Sequence, residues 1–173
     1  MDLFKGMKSL DTISKNFKGV SLDIKQMLEE IKNKRKLTKS KIAVGELSDN
    51  IIEFLKNRNV SIHTKEIYLT HKGLSHFARD SKRKRGAGLS EEDILKIPEI
   101  LKYPSAVFFE KTKQKFNLLY CDDKNKKYIK IVVDTKGYEK RKIPITLIKT
   151  AGYINSSDMK NPDFELIFGD WKF

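Results

Sequence analysis

Apolar positions follow a helical period in the first part of the chain. Ile24, Met27, Leu28 and Ile31 stand at i, i+3, i+4 and i+7, which gives one apolar stripe along a helix over residues 20–31. The same reasoning, with polar capping residues and helix breakers as boundaries, predicts the remaining helices. They cover residues 47–58, residues 70–85 after a short extended segment at 60–69, and residues 91–101 with a bend at Pro98.

After Pro104 the period of the apolar positions changes to that of strands. The segments are short, rich in Val, Ile, Phe and Tyr, and separated by polar turns. Consecutive strands with short connections favour an antiparallel meander. Helices followed by strands predict an α+β fold, with N-terminal helices packed on a C-terminal antiparallel sheet of four strands or slightly more. The predicted strands are 105–109, 116–121, 128–134, 143–154 and an edge strand at 164–168, with turns at 122–127 and 134–137.

The first forty residues differ from the rest, because Lys and Arg recur there and cluster at 32–36. This difference predicts a basic helical N-terminal arm over residues 1–43 and an α+β domain over residues 44–173. The arm is a packed helix, a linker or the end of a longer chain, and its sequence does not choose among them.

The net charge of the chain indicates which kind of molecule it binds. With 36 Lys and Arg against 23 Asp and Glu, the 173-residue chain carries a formal net charge of +13. Such an excess favours a polyanion, either RNA, DNA or an anionic membrane surface. The competing interpretation is a solvated, lysine-rich surface without a partner.

Cysteine content and hydropathy exclude other classes. Cys121 is the only cysteine, which excludes an intrachain disulfide and a multi-cysteine metal site. It lies in an apolar run, so a buried structural thiol is expected. No apolar stretch approaches the roughly 20 residues of a bilayer span, and the first ten residues lack a signal core. We therefore expect a cytoplasmic protein without a membrane partner.

Two places in the sequence are candidates for catalytic chemistry. His76 and Arg79 are three residues apart and share a helix face, where the cation disfavours the charged form of the histidine and suits it to act as a general base. Lys130 stands at mid-strand among apolar neighbours, either on a solvated face or in a site. A surface histidine on a basic helix is the competing interpretation of His76. No Gly-rich phosphate loop, HExxH motif or metal-like histidine spacing is present, so no metal or cofactor is expected.

Further residues are candidates for phosphate binding. The hydroxyls of Thr150 and Tyr153 follow Lys149 in one segment and are both suited to contact a phosphate. The predicted nucleic-acid contacts are the consecutive cations Lys82, Arg83, Lys84 and Arg85, together with Lys149.

From about Val44 to Phe168, three quarters of the chain, the sequence resembles the phage-associated Barnase–EndoU–ColicinE5/D–RelE-like (BECR-fold) nucleases. Each motif is short, and their order and spacing carry the resemblance. They are the His76-x-x-Arg79 helix, the helix from Glu91 that ends in Ile97-Pro98-Glu99-Ile100-Leu101-Lys102-Tyr103-Pro104, the strand pair with Lys130, and the closing Lys149-Thr150-Ala151-Gly152-Tyr153.

The resemblance implies a metal-independent endoribonuclease of toxin or phage type, with its site on a four-stranded antiparallel sheet. Such an enzyme uses the 2′-hydroxyl of the RNA as nucleophile. The resemblance makes His76 the general base or acid, while Lys130 and Arg79 stabilise the phosphate. Thr150 and Tyr153 position the phosphate or relay a proton. The implied partners are RNA, with tRNA among the candidates, and a cognate immunity or antitoxin protein.

Two questions stay open at this stage. No second histidine is clearly placed as the partner acid, which leaves Tyr153, Lys130 and His71. The alternative functions are a non-catalytic basic RNA- or DNA-binding module, with Tyr120 and Tyr128 stacking on bases, a phage accessory protein, or an interaction domain of a larger toxin. The nuclease hypothesis requires the third helix to lie along the rim of the sheet. It also requires a hairpin centred near residue 140 that brings Lys130 and Thr150 level on one face.

Overall fold

The computed structural model of the protein describes residues 17–77, 88–112, 115–124 and 127–173. In these residues the helices are α1 (Lys18–Lys32), α2 (Asp49–Asn57), α3 (His71–Phe77), α4 (Glu91–Leu95) and α5 (Ile97–Lys102), with a 3-10 turn at Ser156–Met159. The strands are β1 (Lys41–Glu46), β2 (Glu66–Thr70), β3 (Ala106–Thr112), β4 (Lys115–Asp122), β5 (Tyr128–Glu139), β6 (Ile143–Ile154) and β7 (Phe164–Gly169).

The strands form one mixed sheet, which confirms the α+β prediction and corrects the size of the sheet. The order is β1-β2-β6-β5-β4-β3-β7, so the predicted meander β3 to β6 forms its centre. β7 pairs with β3 at one edge, as expected for the last strand. The expected four-stranded antiparallel sheet is too small, because β1 and β2 extend it beyond β6 and β2 runs parallel to β6.

The N-terminal helix belongs to the same core as the sheet. The stripe Ile24, Met27 and Leu28 is buried there, and the Ser21 hydroxyl donates a 2.8 Å hydrogen bond to the Leu95 carbonyl oxygen. The predicted boundary between residues 43 and 44 falls inside β1. The part of the predicted arm from residue 18 onward is therefore a packed helix followed by a strand.

The helix predicted at 91–101 begins as expected and is broken in the middle. The Ser90 hydroxyl accepts a 3.2 Å hydrogen bond from the Asp93 amide, which caps α4. Pro98 has no amide hydrogen and stands in the first turn of the next helix, where that loss costs least. The expected bend is thus a division into α4 and α5.

The β5–β6 hairpin turns later than one of the sequence patterns indicates. The predicted turn at 134–137 lies within β5, where the Asp134 carboxylate accepts a 2.8 Å hydrogen bond from the Lys136 amide and the register shifts. The chain reverses at 140–142, where the Lys142 amide donates to the Glu139 carbonyl at 3.1 Å. A hairpin near residue 140 is confirmed.

The sheet has a different core on each face. The helices cover one face and enclose the main core, which includes Leu74, Phe77, Ile129, Ile131 and Ala151. On the opposite face a smaller cluster is closed by the C-terminal segment. Its buried members are Ala106, Phe108, Leu119, Cys121, Val132, Met159 and Trp171.

Candidate functional site

Lys130 and Thr150 lie on the same face of the sheet, on the neighbouring strands β5 and β6. Thr150 is directly opposite Val132, and Lys130 is two residues before Val132 on the same strand. Because side chains two apart on a strand share a face, all three point to the side of the smaller core. Both Lys130 and Thr150 are half-buried.

The two residues are diagonal rather than level. Lys130 is opposite Gly152, because the hairpin is centred on Arg141 and each strand contains one extra residue at a register shift. Diagonal neighbours of an antiparallel pair have their side chains about 7–8 Å apart. Between two such groups a phosphate can be held from both sides.

Lys149 is the extra residue of a β-bulge beside Thr150. Val132 pairs with Thr150 and Val133 pairs with Ile148, which leaves Lys149 without an opposite residue on β5. Its side chain is exposed. Bulges of this kind re-aim side chains and recur next to active sites. A second cation is therefore adjacent to Thr150 in the sequence, on an irregular part of β6.

Helix α3 lies against the same strand that carries Thr150. β2 pairs with β6 through Thr146 and Leu147, and the chain then leaves β2 to form α3. A Cβ added at Gly73 would lie 3.2 Å from the Ile148 carbonyl oxygen, so the helix backbone closely approaches β6 two residues before Thr150. Only glycine permits this contact without displacement.

His76 lies on the same helix as Gly73, the residue at which α3 approaches β6. It follows Gly73 by three residues, and residues three apart are neighbours on a helix surface. Its side chain is exposed, whereas Leu74 and Phe77 turn into the main core. The sequence predicted this helix along the rim of the sheet. In the structure it packs into the main core, on the face opposite to Lys130 and Thr150, and approaches β6, which lies between β2 and β5.

Tyr153 is on the other face of the sheet. It is directly opposite Ile129, whose side chain is in the main core. The Tyr153 hydroxyl accepts a hydrogen bond from the Ser90 amide at 3.1 Å and donates a short one to the Asp93 carboxylate. The pKa of the phenol is raised, mainly by burial and to a lesser degree by this bond to Asp93.

Tyr153 therefore fastens the first turn of α4 to the sheet. The structure does not bring it together with Lys130 and Thr150, because it is three residues from Thr150 and an odd separation reverses the face. The Lys127 ammonium lies 4.6 Å from the centre of the Tyr153 ring and adds a cation–π contact.

The other predicted site residues are placed as follows. Arg79 and the cluster Lys82, Arg83, Lys84 and Arg85 lie outside the described residues. His71 is half-buried at the start of α3, where its amide donates to the Ser40 carbonyl at 3.1 Å. His63 bonds the Gly137 carbonyl through Nδ1 at 2.9 Å and thereby supports the hairpin.

The aromatic platform expected for a binding module is absent at Tyr120. Its side chain is 1% exposed and faces the main core, so it cannot stack on a base in the folded protein. Tyr128 is half-buried and packs its ring against Trp171 at 5.4 Å. The expectation that a base stacks on Tyr120 is therefore wrong. A base that stacked on Tyr128 would compete with the Trp171 ring.

Cys121 is a structural thiol, as predicted. It is fully buried opposite Lys130, and burial raises the pKa of the thiol to about 12 although Lys130 acts in the other direction. The thiolate is the nucleophilic form of cysteine. A raised pKa therefore removes Cys121 from the candidate nucleophiles.

Sequence reasoning missed one group of exposed cations, Lys140, Arg141 and Lys142, at the tip of the β5–β6 hairpin. Their sequence, Lys-Arg-Lys between two apolar segments, was a readable signal. It was obscured because the turn was expected at 134–137.

Neither a metal cluster nor a bilayer span is found in the described part of the chain. No group of three or more His, Cys, Asp or Glu side chains there is arranged to hold a metal ion. No helix within the same residues is long and apolar enough to cross a membrane. In comparisons with known proteins, no family model, no curated sequence and no solved structure matches this chain.

Proposed function

We propose that the protein is a metal-independent endoribonuclease of BECR-like fold that cleaves RNA by attack of the 2′-hydroxyl. The observation that carries the proposal is the β5–β6 register, with Lys130 and Thr150 diagonal on one face. Helix α3, which carries His76, approaches the same strand from the main-core side at Gly73, and the proposal requires the exposed His76 side chain to reach the phosphate from there. A cation, a hydroxyl and a titratable imidazole are the groups that this reaction needs.

The reaction follows from the chemistry of these groups. His76, as general base, takes the proton of the 2′-hydroxyl, and the 2′-oxygen forms a bond to phosphorus. The bond from phosphorus to the 5′-oxygen breaks, and that oxygen receives a proton from a general acid. The products are a 2′,3′-cyclic phosphate and a 5′-hydroxyl, so no metal or external nucleophile takes part in the step.

Lys130 stabilises the negative charge that develops on the phosphate, and Thr150 hydrogen-bonds one of its oxygens. Arg79, three residues after His76, has the same stabilising role as Lys130 in this proposal. Of the three candidates for the general acid, Lys130 and His71 remain in it. The Tyr153 hydroxyl already donates to Asp93, on the other face of the sheet.

The charge of the chain supports an RNA substrate. A net charge of +13 gives a long-range attraction to phosphate, and Lys149 adds a cation at the bulge. The proposal includes a cytoplasmic toxin- or phage-type RNase that acts on RNA such as tRNA and has a cognate immunity or antitoxin protein. The second candidate, a basic nucleic-acid-binding module without catalysis, is favoured by the exposed cations of the hairpin tip.

The test is the rate of RNA cleavage by His76→Ala. Loss of a general acid or base costs about 10²–10⁴-fold in rate, while most of the affinity for RNA should remain. The matched control is His63→Asn, which removes another imidazole and keeps a donor for the Gly137 carbonyl. Cleavage by His76→Ala at the wild-type rate would exclude the catalytic role of His76. Binding without cleavage by the wild type would favour the second candidate.

Binding should also depend on salt through phosphate contacts. Replacement of Lys82, Arg83, Lys84 and Arg85 by Gln should flatten the plot of log affinity against log salt concentration, because each lost phosphate contact lowers the slope by about 0.7–0.9. An unchanged slope would mean that this cluster does not touch the RNA.

A further inference from the structure

The tip of the β5–β6 hairpin presents three exposed cations. Lys140, Arg141 and Lys142 are exposed, and none of them forms a salt bridge in the described part of the chain. The neighbouring acid, Glu139, is buried, and its carboxylate bonds the Lys41 ammonium at 2.9 Å. The hydrogen bond to Lys41 is the main cause of the lowered pKa of Glu139, and the charge of Lys140 contributes to it at longer range. Within the described residues, no salt bridge neutralises the tip.

The turn that carries these cations is strained for its sequence. Lys140 and Arg141 have φ angles of 52° and 61°, and the Lys142 amide bonds the Glu139 carbonyl, which is the geometry of a type I′ turn. Such turns strongly favour Asn-Gly, because other residues pay a steric cost in the left-handed region. The turn keeps two long cationic side chains although they strain its backbone. This combination points to a function at the turn.

The tip stands on a rigid support. The β5–β6 pairs Gly137–Ile145, Tyr138–Pro144 and Glu139–Ile143 extend the hairpin to its turn. At its base the His63 amide donates to the Thr135 carbonyl at 2.9 Å, and His63 Nδ1 bonds the Gly137 carbonyl. The backbone that carries the cations is thus held in place by the sheet, so that ligand binding has mainly their side chains left to order.

Tyr138 adds an exposed aromatic ring next to the cations. Its side chain is 55% exposed, and its ring meets the edge of the His63 ring at 5.1 Å between centroids. An aromatic ring beside cations suits a nucleic acid, in which bases and phosphates alternate.

We propose that this basic hairpin tip, Tyr138 with Lys140, Arg141 and Lys142, binds the phosphate backbone of RNA at a distance from the cleavage site. The choice of RNA rests on the proposed function. Nine residues along β5 separate Lys130 from Glu139, the residue before the tip, which is about 30 Å at 3.3 Å per residue. One RNA that reaches both must span on the order of nine base steps at about 3.4 Å per step. The substrate class is therefore a long or structured RNA rather than a di- or trinucleotide.

The experiment compares RNA binding by two variants of the full chain, each in the His76→Ala background so that the RNA stays intact. Lys140→Asn with Arg141→Gly removes two cations and supplies the residues that a type I′ turn favours. Lys25→Gln with Lys36→Gln removes two exposed cations elsewhere and is the matched control. Fluorescence anisotropy measures affinity for a stem-loop RNA with about 12 base pairs and for an oligonucleotide of about three nucleotides, over a range of salt concentrations.

The hairpin variant should bind the stem-loop roughly 25- to 60-fold more weakly at 0.1 M salt, because two phosphate contacts at a slope of about 0.7–0.9 each are lost. Its salt slope should be smaller by about 1.4–1.8, whereas its affinity for the trinucleotide should change by less than about twofold. The control variant should keep the wild-type slope for both. A melting temperature at or above that of the parent protein will show that the turn still folds.

Equal losses in the two variants would overturn the proposal, since only the net charge would then matter. An unchanged stem-loop affinity in the hairpin variant would also overturn it. A third result would overturn it: the hairpin variant binds RNA as the parent does but binds vesicles of anionic phospholipid more weakly. The tip would then be assigned to a membrane surface. RNA cleavage by the protein with His76 present is measured separately, so failure of the nuclease proposal and failure of the hairpin proposal are distinguishable.

Discussion

Two tyrosine hydroxyls, one buried and one partly buried, should respond in opposite directions to the same chemical change. The Tyr120 hydroxyl is buried and has no hydrogen-bond partner in the described part of the chain. The Tyr153 hydroxyl bonds both the Ser90 amide and the Asp93 carboxylate. Substitution by Phe removes only the oxygen in each case, so the two variants compare an unsatisfied hydroxyl with a satisfied one.

The magnitudes follow from the hydrogen-bond state. An unsatisfied buried polar group costs about 1–3 kcal/mol, so Tyr120→Phe should raise the free energy of unfolding by roughly 1–2 kcal/mol. Tyr153→Phe loses a bond to a charged acceptor, worth about 1.5–3 kcal/mol when buried. Because Tyr153 is only partly buried, we expect a loss of roughly 1–2 kcal/mol for it.

Urea denaturation followed by circular dichroism measures both variants, with equal slopes required for the comparison. In a protein of this size, the melting temperatures should move apart by roughly 2–4 °C for each kcal/mol. A loss of more than about 1 kcal/mol in Tyr120→Phe would refute the argument. It would mean that the hydroxyl has a partner, for example in the 350 Å³ cavity that Tyr120 lines with Val44, Phe54 and Leu101.

The remaining predictions concern packing and pH. Gly169→Ala should lower the free energy of unfolding by more than about 2 kcal/mol in denaturant titrations, because its φ is +77° and an added Cβ would lie 2.1 Å from the Ser105 carbonyl oxygen; an unchanged midpoint would show that this contact relaxes. Cys121 should react with a thiol reagent at pH 8 only after unfolding, since it is fully buried. Its folded pKa of about 12 lies above the ordinary value of 9.0, so its contribution to stability is complete below pH 9 and is lost as pH rises toward 12. Cys121→Ala should therefore flatten the alkaline decline by up to about 1.4 kcal/mol per pH unit, and an identical decline in both proteins would contradict the assignment.

Local periodicity predicted the centre of the fold well. Residues 143–154 were predicted as one strand and form β6 with the same bounds. The stripe from Ile24 to Ile31 predicted α1, and the cap at Ser90 predicted where α4 begins, since both signals depend only on neighbours in sequence. The reversed face of Tyr153 relative to Thr150 was equally readable, because it follows from an odd separation on one strand.

Other features depend on contacts between distant segments. β1 alternates Ile42 and Val44 with exposed or half-buried positions, but its charged surroundings resembled an arm, and only pairing with β2 reveals a strand. The parallel pairing of β2 with β6 joins residues about 80 apart and carries no local signal. The bulge at Lys149 offsets the register shift on β5 and so keeps Lys130 and Thr150 on one face. It depends on how the two strands align and not on either sequence alone.

The most direct test of the central claim is cleavage of an RNA oligonucleotide by the wild-type protein in excess EDTA, beside the same oligonucleotide with 2′-deoxyribose throughout. The proposed mechanism predicts cleavage of the RNA with products that end in a 2′,3′-cyclic phosphate and begin with a 5′-hydroxyl. It also predicts an intact deoxy strand, because the attacking 2′-hydroxyl is missing. Cleavage of both strands, or cleavage of RNA that EDTA abolishes, would contradict the account.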